Sequence, residues 1–234
     1  MNIDNAIVLI TGANRGIGLA FARELLARGA RKVYAGARDP ASVTLAGVEP
    51  IRLDVTKPQD IAAAAAHCTD VTLLINNAGI GRTGGFLAPD SETDTRALME
   101  TNFYGMLRMS QAFAPILKAN GGGALLNVLS IASWVNLSVL AGYSASKAAA
   151  WSLTNGLRHE LKEQNTQVLG LHMAFVDTDL TRGMEMPKSS PEAIVGRALD
   201  ALAAGRDEVL ADERTQQVKQ GLAADAASYL PQRA

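Results

Sequence analysis

Tyr143 and Lys147 are the two side chains of this 234-residue sequence whose types and spacing point most directly to chemistry. Four residues apart on a predicted helix, they share one face of it. A tyrosine ordinarily titrates near ~10, and a neighbouring ammonium group favours the phenolate and lowers that pKa. The pair therefore predicts a phenol that exchanges protons with a substrate, as carbonyl/alcohol redox chemistry requires. In isolation, such a pair on a helix surface could also be idle.

A second chemical signal is the glycine-rich loop Thr11-Gly-Ala-Asn-Arg-Gly-Ile-Gly18. It follows a predicted strand and opens a predicted helix, the context in which such loops hold a dinucleotide pyrophosphate. Gly12 permits a sharp turn, Gly16 lets the backbone approach the cofactor, and Gly18 allows close packing of the helix. An ordinary glycine-rich turn between strand and helix is the alternative.

The elements that must position these motifs alternate between short aliphatic runs and longer alanine-rich segments, the pattern of repeated strand–helix units. We predict an α/β fold: a single-domain, Rossmann-like, doubly wound parallel sheet of about seven strands, with helices on both faces, spanning residues 1–234. The predicted strands are Ile7–Ile10, Lys32–Ala35, Glu49–Leu53, Val71–Ile75, Ala124–Leu129, Gln167–Leu171 and Glu208–Leu210. The predicted helices span 17–28, 58–67, 94–119, 143–164 and 191–204.

Together, these motifs resemble those of the short-chain dehydrogenase/reductase family, from residue 11 to about residue 180. The spacing Gly12-x-x-x-Gly16-x-Gly18 matches the family's glycine loop. The resemblance implies hydride transfer between a nicotinamide cofactor and a carbonyl or secondary alcohol. It assigns Tyr143 the role of proton donor in reduction and of base in oxidation. Lys147 would lower the pKa of this tyrosine and hydrogen-bond the nicotinamide ribose.

The resemblance adds two further catalytic candidates. Ser130 ends the predicted fifth strand thirteen residues before Tyr143, the family's usual interval, and would hold the substrate oxygen as charge builds there. Ser133 is a competing candidate, and a serine that caps the strand end is the alternative role. Asn102 lies inside a long helical pattern where asparagine is unfavourable. The family uses such an asparagine to bind a water that links the lysine to solvent, and a merely helix-bending residue is the alternative.

Residues that follow the predicted strands are assigned to the cofactor by the same resemblance. Asp54 would accept a hydrogen bond from the adenine amino group, although it could instead cap the next helix. Asn77, Ala78 and Gly79 would line the adenosine side of the cleft, with a plain turn as the alternative. The cofactor-binding residues predicted in full are Gly12, Asn14, Arg15, Gly16, Ile17, Gly18, Arg38, Asp54, Val55, Asn77, Ala78, Gly79, Tyr143, Lys147, Val176 and Thr178.

The charge at the end of the second strand predicts NADP(H) rather than NAD(H). Folds that select NAD commonly place an acidic residue there to bind the ribose 2′-hydroxyl. This sequence has Ala37 at that place, Arg38 directly after it and Arg15 in the glycine loop. Two guanidinium groups suit a 2′-phosphate by charge and by their forked donors. Asp39 argues mildly against this preference, and two solvated surface arginines are the alternative.

One departure from the family pattern follows the predicted sixth strand. The family usually has Pro-Gly there, against the nicotinamide, whereas this chain has Ala174-Phe175. Phe175 could crowd the nicotinamide or stack on it, which leaves open a second interpretation: a catalytically weak or inactive nucleotide-binding sensor or scaffold of the same fold. Intact Ser130, Tyr143 and Lys147 oppose that interpretation.

The substrate is expected to be a small apolar carbonyl or alcohol compound, and residues 181–204 to form a short substrate loop and helix. The candidate pocket residues could equally be core or subunit-contact residues. They are Phe86, Trp134, Leu137, Val139, Leu140, Met184 and Met186. The resemblance also implies a homodimer or homotetramer, paired through the helices near 94–119 and 143–164.

The composition excludes several other functions. A formal net charge of −1 and a pI near 6.3 leave no excess of cations for nucleic acid or an anionic membrane surface. No apolar run is long enough to span a bilayer. Cys68 is the one cysteine and forms no intramolecular disulfide, so we expect a cytoplasmic protein. No metal-ligand spacing joins His172 to His67 or His159, and we expect no metal site.

Overall fold

A computed structural model describes residues 1–224 and 227–230 of the chain. Its centre is a sheet of seven strands in the order β3-β2-β1-β4-β5-β6-β7, in which every neighbouring pair is parallel. The strands are β1 (Ile7–Thr11), β2 (Lys32–Ala37), β3 (Glu49–Arg52), β4 (Leu73–Asn76), β5 (Ala124–Val128), β6 (Gln167–His172) and β7 (Glu208–Leu210).

The helices between these strands cover both faces of the sheet. They are α1 (Gly16–Ala27), α2 (Pro58–His67), α3 (Ser91–Met99), α4 (Met106–Ala119), α5 (Ala141–Glu160), α6 (Pro191–Ala203) and α7 (Glu213–Gln220). Helices α1 and α6 pack on one face, and α2, α4 and α5 pack on the other. The prediction of a doubly wound, Rossmann-like parallel sheet is therefore confirmed.

The strands are apolar on both faces because both faces are covered. In β1, Val8 and Ile10 belong to the core beneath α1 and α6, whereas Ile7 and Leu9 belong to the opposite core. This alternation follows from the two-residue period of a strand. Continuous aliphatic runs in the sequence therefore mark strands that are buried on both faces.

Two elements differ from the prediction. The helix predicted over 94–119 is interrupted by a π-helical segment, Glu100–Gly105, which joins α3 to α4. Helix α7 has no predicted counterpart, since its sequence, ERTQQVKQ, is too polar to show an apolar stripe. The interrupted helix contains Asn102, and α7 begins directly after β7, so both differences lie close to the site described below.

Within the described ranges 1–224 and 227–230, no helix is both long enough and apolar enough to cross a membrane.

Candidate active site

A cleft of about 1670 Å³ opens at the carboxyl ends of the strands. The strand order reverses between β1 and β4, and ligands of open α/β sheets bind at such a switch point. The cleft is lined by every site residue predicted from the sequence except Gly18 and Asn102, which are buried behind its wall. Loops that lie far apart in the sequence thus converge on one cavity.

The glycine loop at the start of α1 has the conformation expected of a phosphate cradle. Gly12 and Gly16 have φ values of 68° and 54°, in the left-handed region that favours glycine. A Cβ at Gly18 would overlap the carbonyl oxygen of Gly12, so a side chain there would force the loop away from the helix. The backbone therefore leaves open, at the N-terminus of α1, the space that a pyrophosphate requires. These residues fit a dinucleotide.

Asn77 fixes the glycine loop through hydrogen bonds. Its Nδ2 donates to the carbonyl oxygens of Thr11 and Gly12 at 2.9 and 3.1 Å, and its backbone N–H donates to the Thr11 hydroxyl at 2.9 Å. The backbone N–H of Ala78 donates to the same hydroxyl. The Asn77 side chain thus bonds the neighbouring strand and loop, while Ala78 and Gly79 contribute the open wall of the cleft.

Arg38 and Arg15 both line the cleft, but they differ in their ion-pair partners. Arg38 is exposed at the end of β2, and none of the ion pairs among the described residues involves it. Arg15 forms an ion pair with Asp179, with 2.9 Å between Nη1 and Oδ2. Asp179 lies 164 residues further along the chain, so the sequence offered no sign of this pairing.

Asp54 follows β3 and faces the cleft. Its Oδ1 accepts the backbone N–H of Thr56 at 3.0 Å and the Thr56 hydroxyl at 2.7 Å. Desolvation opposes ionisation, but these hydrogen bonds and the nearby charges of Lys57 and Arg38 hold the pKa of Asp54 below its ordinary value. The alternative role as a helix cap is not adopted, because Lys57 occupies the N-cap position of α2.

Tyr143 and Lys147 lie in the first two turns of α5 and face the cleft on the same side of the helix. Nζ of Lys147 lies 5.8 Å from the centroid of the Tyr143 ring and donates to the carbonyl oxygen of Val128 at 2.9 Å. Lys147 is only 5% exposed. The ammonium group is therefore anchored to the end of β5, beneath the phenol.

The pKa values of this pair differ from the expectation. Burial raises the pKa of Tyr143 to about 12, and contact with the Ser130 hydroxyl offsets part of the rise. Burial also lowers the pKa of Lys147 to about 8. The lowering of the Tyr143 pKa predicted from the spacing is wrong for this geometry, because desolvation of the phenol outweighs the effect of an ammonium group that does not touch the hydroxyl.

Ser130 lies directly beyond β5 and faces Tyr143 across the cleft. Its Oγ accepts the backbone N–H of Ala132 at 3.1 Å, so it caps the short turn Ile131–Ser133 and keeps its own proton free to donate. Ser133, the competing candidate, is buried outside the cleft lining, and its hydroxyl has no partner among the described residues. Of the two serines, Ser130 is the one beside the tyrosine.

Asn102 lies in the π-helical segment, 1% exposed, behind the wall of the cleft. Its Nδ2 donates to the Ile80 carbonyl oxygen and to the Ser146 hydroxyl, both at 3.0 Å, and its Oδ1 accepts the Ile80 N–H at 2.9 Å. The side chain therefore bonds the backbone of Ile80 and the hydroxyl of Ser146. It ties the loop after β4 to α5.

The turn Ala174-Phe175, which follows β6, lines the cleft and is held on both sides. The backbone N–H of Ala174 donates to Oδ2 of Asp212 at 2.7 Å. The carbonyl oxygen of Phe175 accepts the backbone N–H of Ser189 at 2.9 Å. Asp212 was not among the residues predicted from the sequence. The signal that could have found it is the preference for aspartate at a helix N-cap, the position that Asp212 occupies in α7.

His172 is fully buried two residues before Ala174. Its ring stacks on Trp134 with centroids 4.0 Å apart, and its Nδ1 lies 3.2 Å from the Ser130 carbonyl oxygen. Desolvation lowers its pKa, against the opposing effect of Glu208. Among residues 1–224 and 227–230, no three His, Cys, Asp or Glu side chains group in a way that could hold a metal ion.

The apolar pocket residues divide between two places. Leu137, Leu140 and Met184 line the cleft. Four other candidates lie outside its lining: Phe86, Val139 and Met186 are exposed, and Trp134 packs on His172. The cleft lining thus includes three of the seven predicted apolar residues, fewer than expected.

The chain is similar to known oxidoreductases over most of its length. It is 31% identical to 3-oxoacyl-acyl-carrier-protein reductase from Vibrio cholerae, with 79% of each chain covered. It is 34% identical to the L-tagatose-forming galactitol 2-dehydrogenase of Cereibacter sphaeroides, over 78% of this chain and 76% of that protein. A Burkholderia cenocepacia short chain dehydrogenase, solved in complex with NADP, is 42% identical, with a TM-score of 0.92 and coverage of 96% and 95% of the two chains.

The sequence profile of the short chain dehydrogenase family matches residues 6–188, which contain the glycine loop, Ser130, Tyr143, Lys147 and the turn after β6. The fold, the position of the cleft and these matches lead to the same conclusion: the chain belongs to the short-chain dehydrogenase/reductase family of oxidoreductases.

Proposed function

We propose that the protein is an NADP(H)-dependent oxidoreductase that interconverts a carbonyl compound and its secondary alcohol. The observation that carries this proposal is the convergence of Ser130, Tyr143 and Lys147 in the cleft that the glycine loop also lines. A merely nucleotide-binding protein would have no need of a serine hydroxyl against a tyrosine hydroxyl at this place.

Bound nicotinamide would supply or accept the hydride. In reduction, the Ser130 hydroxyl donates to the substrate oxygen and orients it, and Tyr143 gives that oxygen its proton. The raised pKa of Tyr143 keeps the phenol protonated, which is the form that reduction needs. Because Tyr143 lies in the first turn of α5, the helix dipole stabilises the phenolate that remains.

Lys147 has two tasks in this proposal. Its cation lies beneath the Tyr143 ring and stabilises the negative charge left on the phenol after proton transfer. Its Nζ also reaches the cleft surface, where it would hydrogen-bond the nicotinamide ribose. Asn102 is a positioning residue, since its side chain joins the loop after β4 to α5 and so keeps the tyrosine helix in place.

The preference for NADP(H) is supported by charge. Ala37 leaves the end of β2 without the carboxylate that would repel a 2′-phosphate, and Arg38 is exposed beside it. Arg15 can bind the 2′-phosphate together with Arg38 only if it gives up its ion pair with Asp179. A similar short chain dehydrogenase binds NADP. Specificity constants for NADPH and NADH in wild type and Arg38→Ala test this, and an unchanged ratio would remove Arg38 from the argument.

The reaction itself is tested by following NADPH absorbance with a panel of aldehydes, ketones and diketones. We expect oxidation of NADPH by at least one small apolar carbonyl compound, and loss of most of that activity in Tyr143→Phe. Equal rates in the variant would refute the proton-donor role. NADPH binding without oxidation anywhere in the panel would favour the sensor or scaffold, for which the Ala174-Phe175 departure is the supporting observation.

An apolar substrate is supported by Leu137, Leu140 and Met184 in the cleft wall. We assign the substrate side of the cleft to residues 181–204, the loop after β6 and α6. The proposal extends to a homodimer or homotetramer in the cytoplasm, with the surfaces of α4 and α5 as contacts by analogy with the family. Sedimentation that shows only monomer at micromolar concentration would contradict the oligomer.

A further inference from the structure

The turn Ala174-Phe175 has a backbone group that the family's usual sequence does not have. A proline at the first position would fix φ near ~−65° and would have no N–H. Ala174 restores both the freedom of φ and an N–H donor, and a backbone donor inside a protein requires a partner. The departure from Pro-Gly therefore makes the turn looser unless another group restrains it.

Asp212 is that group. Its carboxylate is buried, with 8% of the residue exposed, and all three hydrogen bonds it accepts come from the protein. Oδ2 accepts the Ala174 N–H at 2.7 Å. Oδ1 accepts the backbone N–H and the hydroxyl of Thr215 at 2.7 and 2.8 Å. One oxygen thus caps α7, and the other reaches across to the turn.

The fold explains why a residue so far along the chain can reach this turn. His172 pairs with Leu210 in the β6–β7 ladder, and the Ala211 N–H donates to the His172 carbonyl oxygen at 2.9 Å. Asp212 and Ala174 are each two residues beyond this pairing, so they leave the sheet side by side. The Asp212 carboxylate then meets the Ala174 N–H without distortion of either strand.

We propose that Asp212 is a positioning residue that sets the Ala174-Phe175 turn for the nicotinamide end of the cofactor. Its hydrogen bond restrains the turn in place of a proline ring, and the Ser189 N–H restrains the other side through the Phe175 carbonyl oxygen. This inference rests on the proposed function, since it requires that the cofactor lie against the turn. It assigns α7 a role in the site, although no side chain of that helix lines the cleft.

Asp212→Asn separates this role from the capping of α7. An asparagine can keep both bonds to Thr215 through its one carbonyl oxygen, but its amide NH2 then faces the Ala174 N–H, donor against donor. The turn would visit other conformations, and apparent affinity falls in proportion to the population that remains competent. For the loss of one such bond, we expect the Kd for NADPH to rise about 3- to 10-fold.

The experiment measures NADPH binding by calorimetry in wild type, Asp212→Asn, Ala174→Pro and the double variant. In the Ala174→Pro background no N–H remains to be lost, and the ring Cδ, at the place of the amide hydrogen, displaces the Asp212 carboxylate from the turn, so Asp212→Asn should change the Kd by less than about two-fold. Glu213→Gln is the matched control: the same change from carboxylate to amide on an exposed residue of the same helix turn should leave the Kd unchanged.

A second readout needs no cofactor. Hydrogen exchange of the Ala174 amide in the protein alone should accelerate in Asp212→Asn and not in Glu213→Gln. Equal increases in Kd in both the Ala174 and the Ala174→Pro backgrounds would overturn the inference, because the effect would then pass through α7. Unchanged exchange would overturn it as well. If the wild-type chain binds no NADPH, both the proposed function and the role of Asp212 are refuted. The other outcomes refute the role of Asp212 alone.

Discussion

The burial of Lys147 makes the pH dependence of reduction a quantitative test of the candidate site. Its pKa is lowered to about 8 because the ammonium group is desolvated at the end of β5. In the proposed reaction only the charged form stabilises the phenolate of Tyr143. Reduction should therefore be constant in the acid range where Lys147 is charged, and it should fall as the pH rises through about 8.

The magnitude follows from a single titration. A group with a pKa of about 8 is about nine-tenths charged one pH unit below that value and about one-tenth charged one unit above it, so kcat/KM should fall about ten-fold between about pH 7 and 9. Tyr143, with a pKa raised to about 12, remains protonated throughout this interval. Within the pair, Lys147 is therefore the group whose titration lowers kcat/KM.

The assay is the specificity constant for a ketone at a saturating concentration of NADPH, measured from about pH 6 to 11, because kcat/KM reports the pKa values of the enzyme form that meets the ketone. Lys147→Arg is the control: its guanidinium does not titrate in this range, so its activity should be lower but independent of pH. A wild-type midpoint near ~10.4, the value of a solvated lysine, would refute the argument from burial. A decline that persists in Lys147→Arg would assign the titration to another group.

Two further variants test the packing around the site. Gly18→Ala places a methyl group against the Gly12 carbonyl oxygen, so NADPH affinity, measured by titration calorimetry, should fall at least about ten-fold. Gly156 lies in α5 with open space where a Cβ would be, so Gly156→Ala should raise the free energy of unfolding by about 0.5–1 kcal/mol. In urea unfolding, stability should fall as the pH drops below about 6.5, because burial lowers the pKa of His172 and the unfolded chain therefore takes up that proton before the folded protein does. A further loss should follow between about pH 4.3 and 2 as Glu208 is protonated, because its close approach to His172 and then to Lys219 lowers its pKa to about 2. In Glu208→Gln this second loss should disappear, and an unchanged acid limb would contradict the assignment.

Much of the fold was predictable because its signals are local. Aliphatic runs mark strands buried on both faces, and alanine-rich segments mark the helices between them, so alternation alone predicts a parallel sheet. The π-helical segment around Asn102 was not predictable, since its backbone differs from an α-helix only in which carbonyl each N–H meets. Helix α7 escaped prediction because it is polar and is held by its cap and its neighbours rather than by an apolar stripe.

The candidate site also has parts that were predictable from the sequence and parts that were not. Pairs within one element could be predicted from spacing: Tyr143 and Lys147 are on one face because four residues complete about one helical turn. Contacts between distant segments depend on how the chain folds, and spacing does not indicate them: Arg15 pairs with Asp179, and Ala174 with Asp212. Tertiary packing also decided the sign of the Tyr143 pKa shift, because desolvation depends on everything that surrounds a group, and a spacing of four residues specifies only one neighbour.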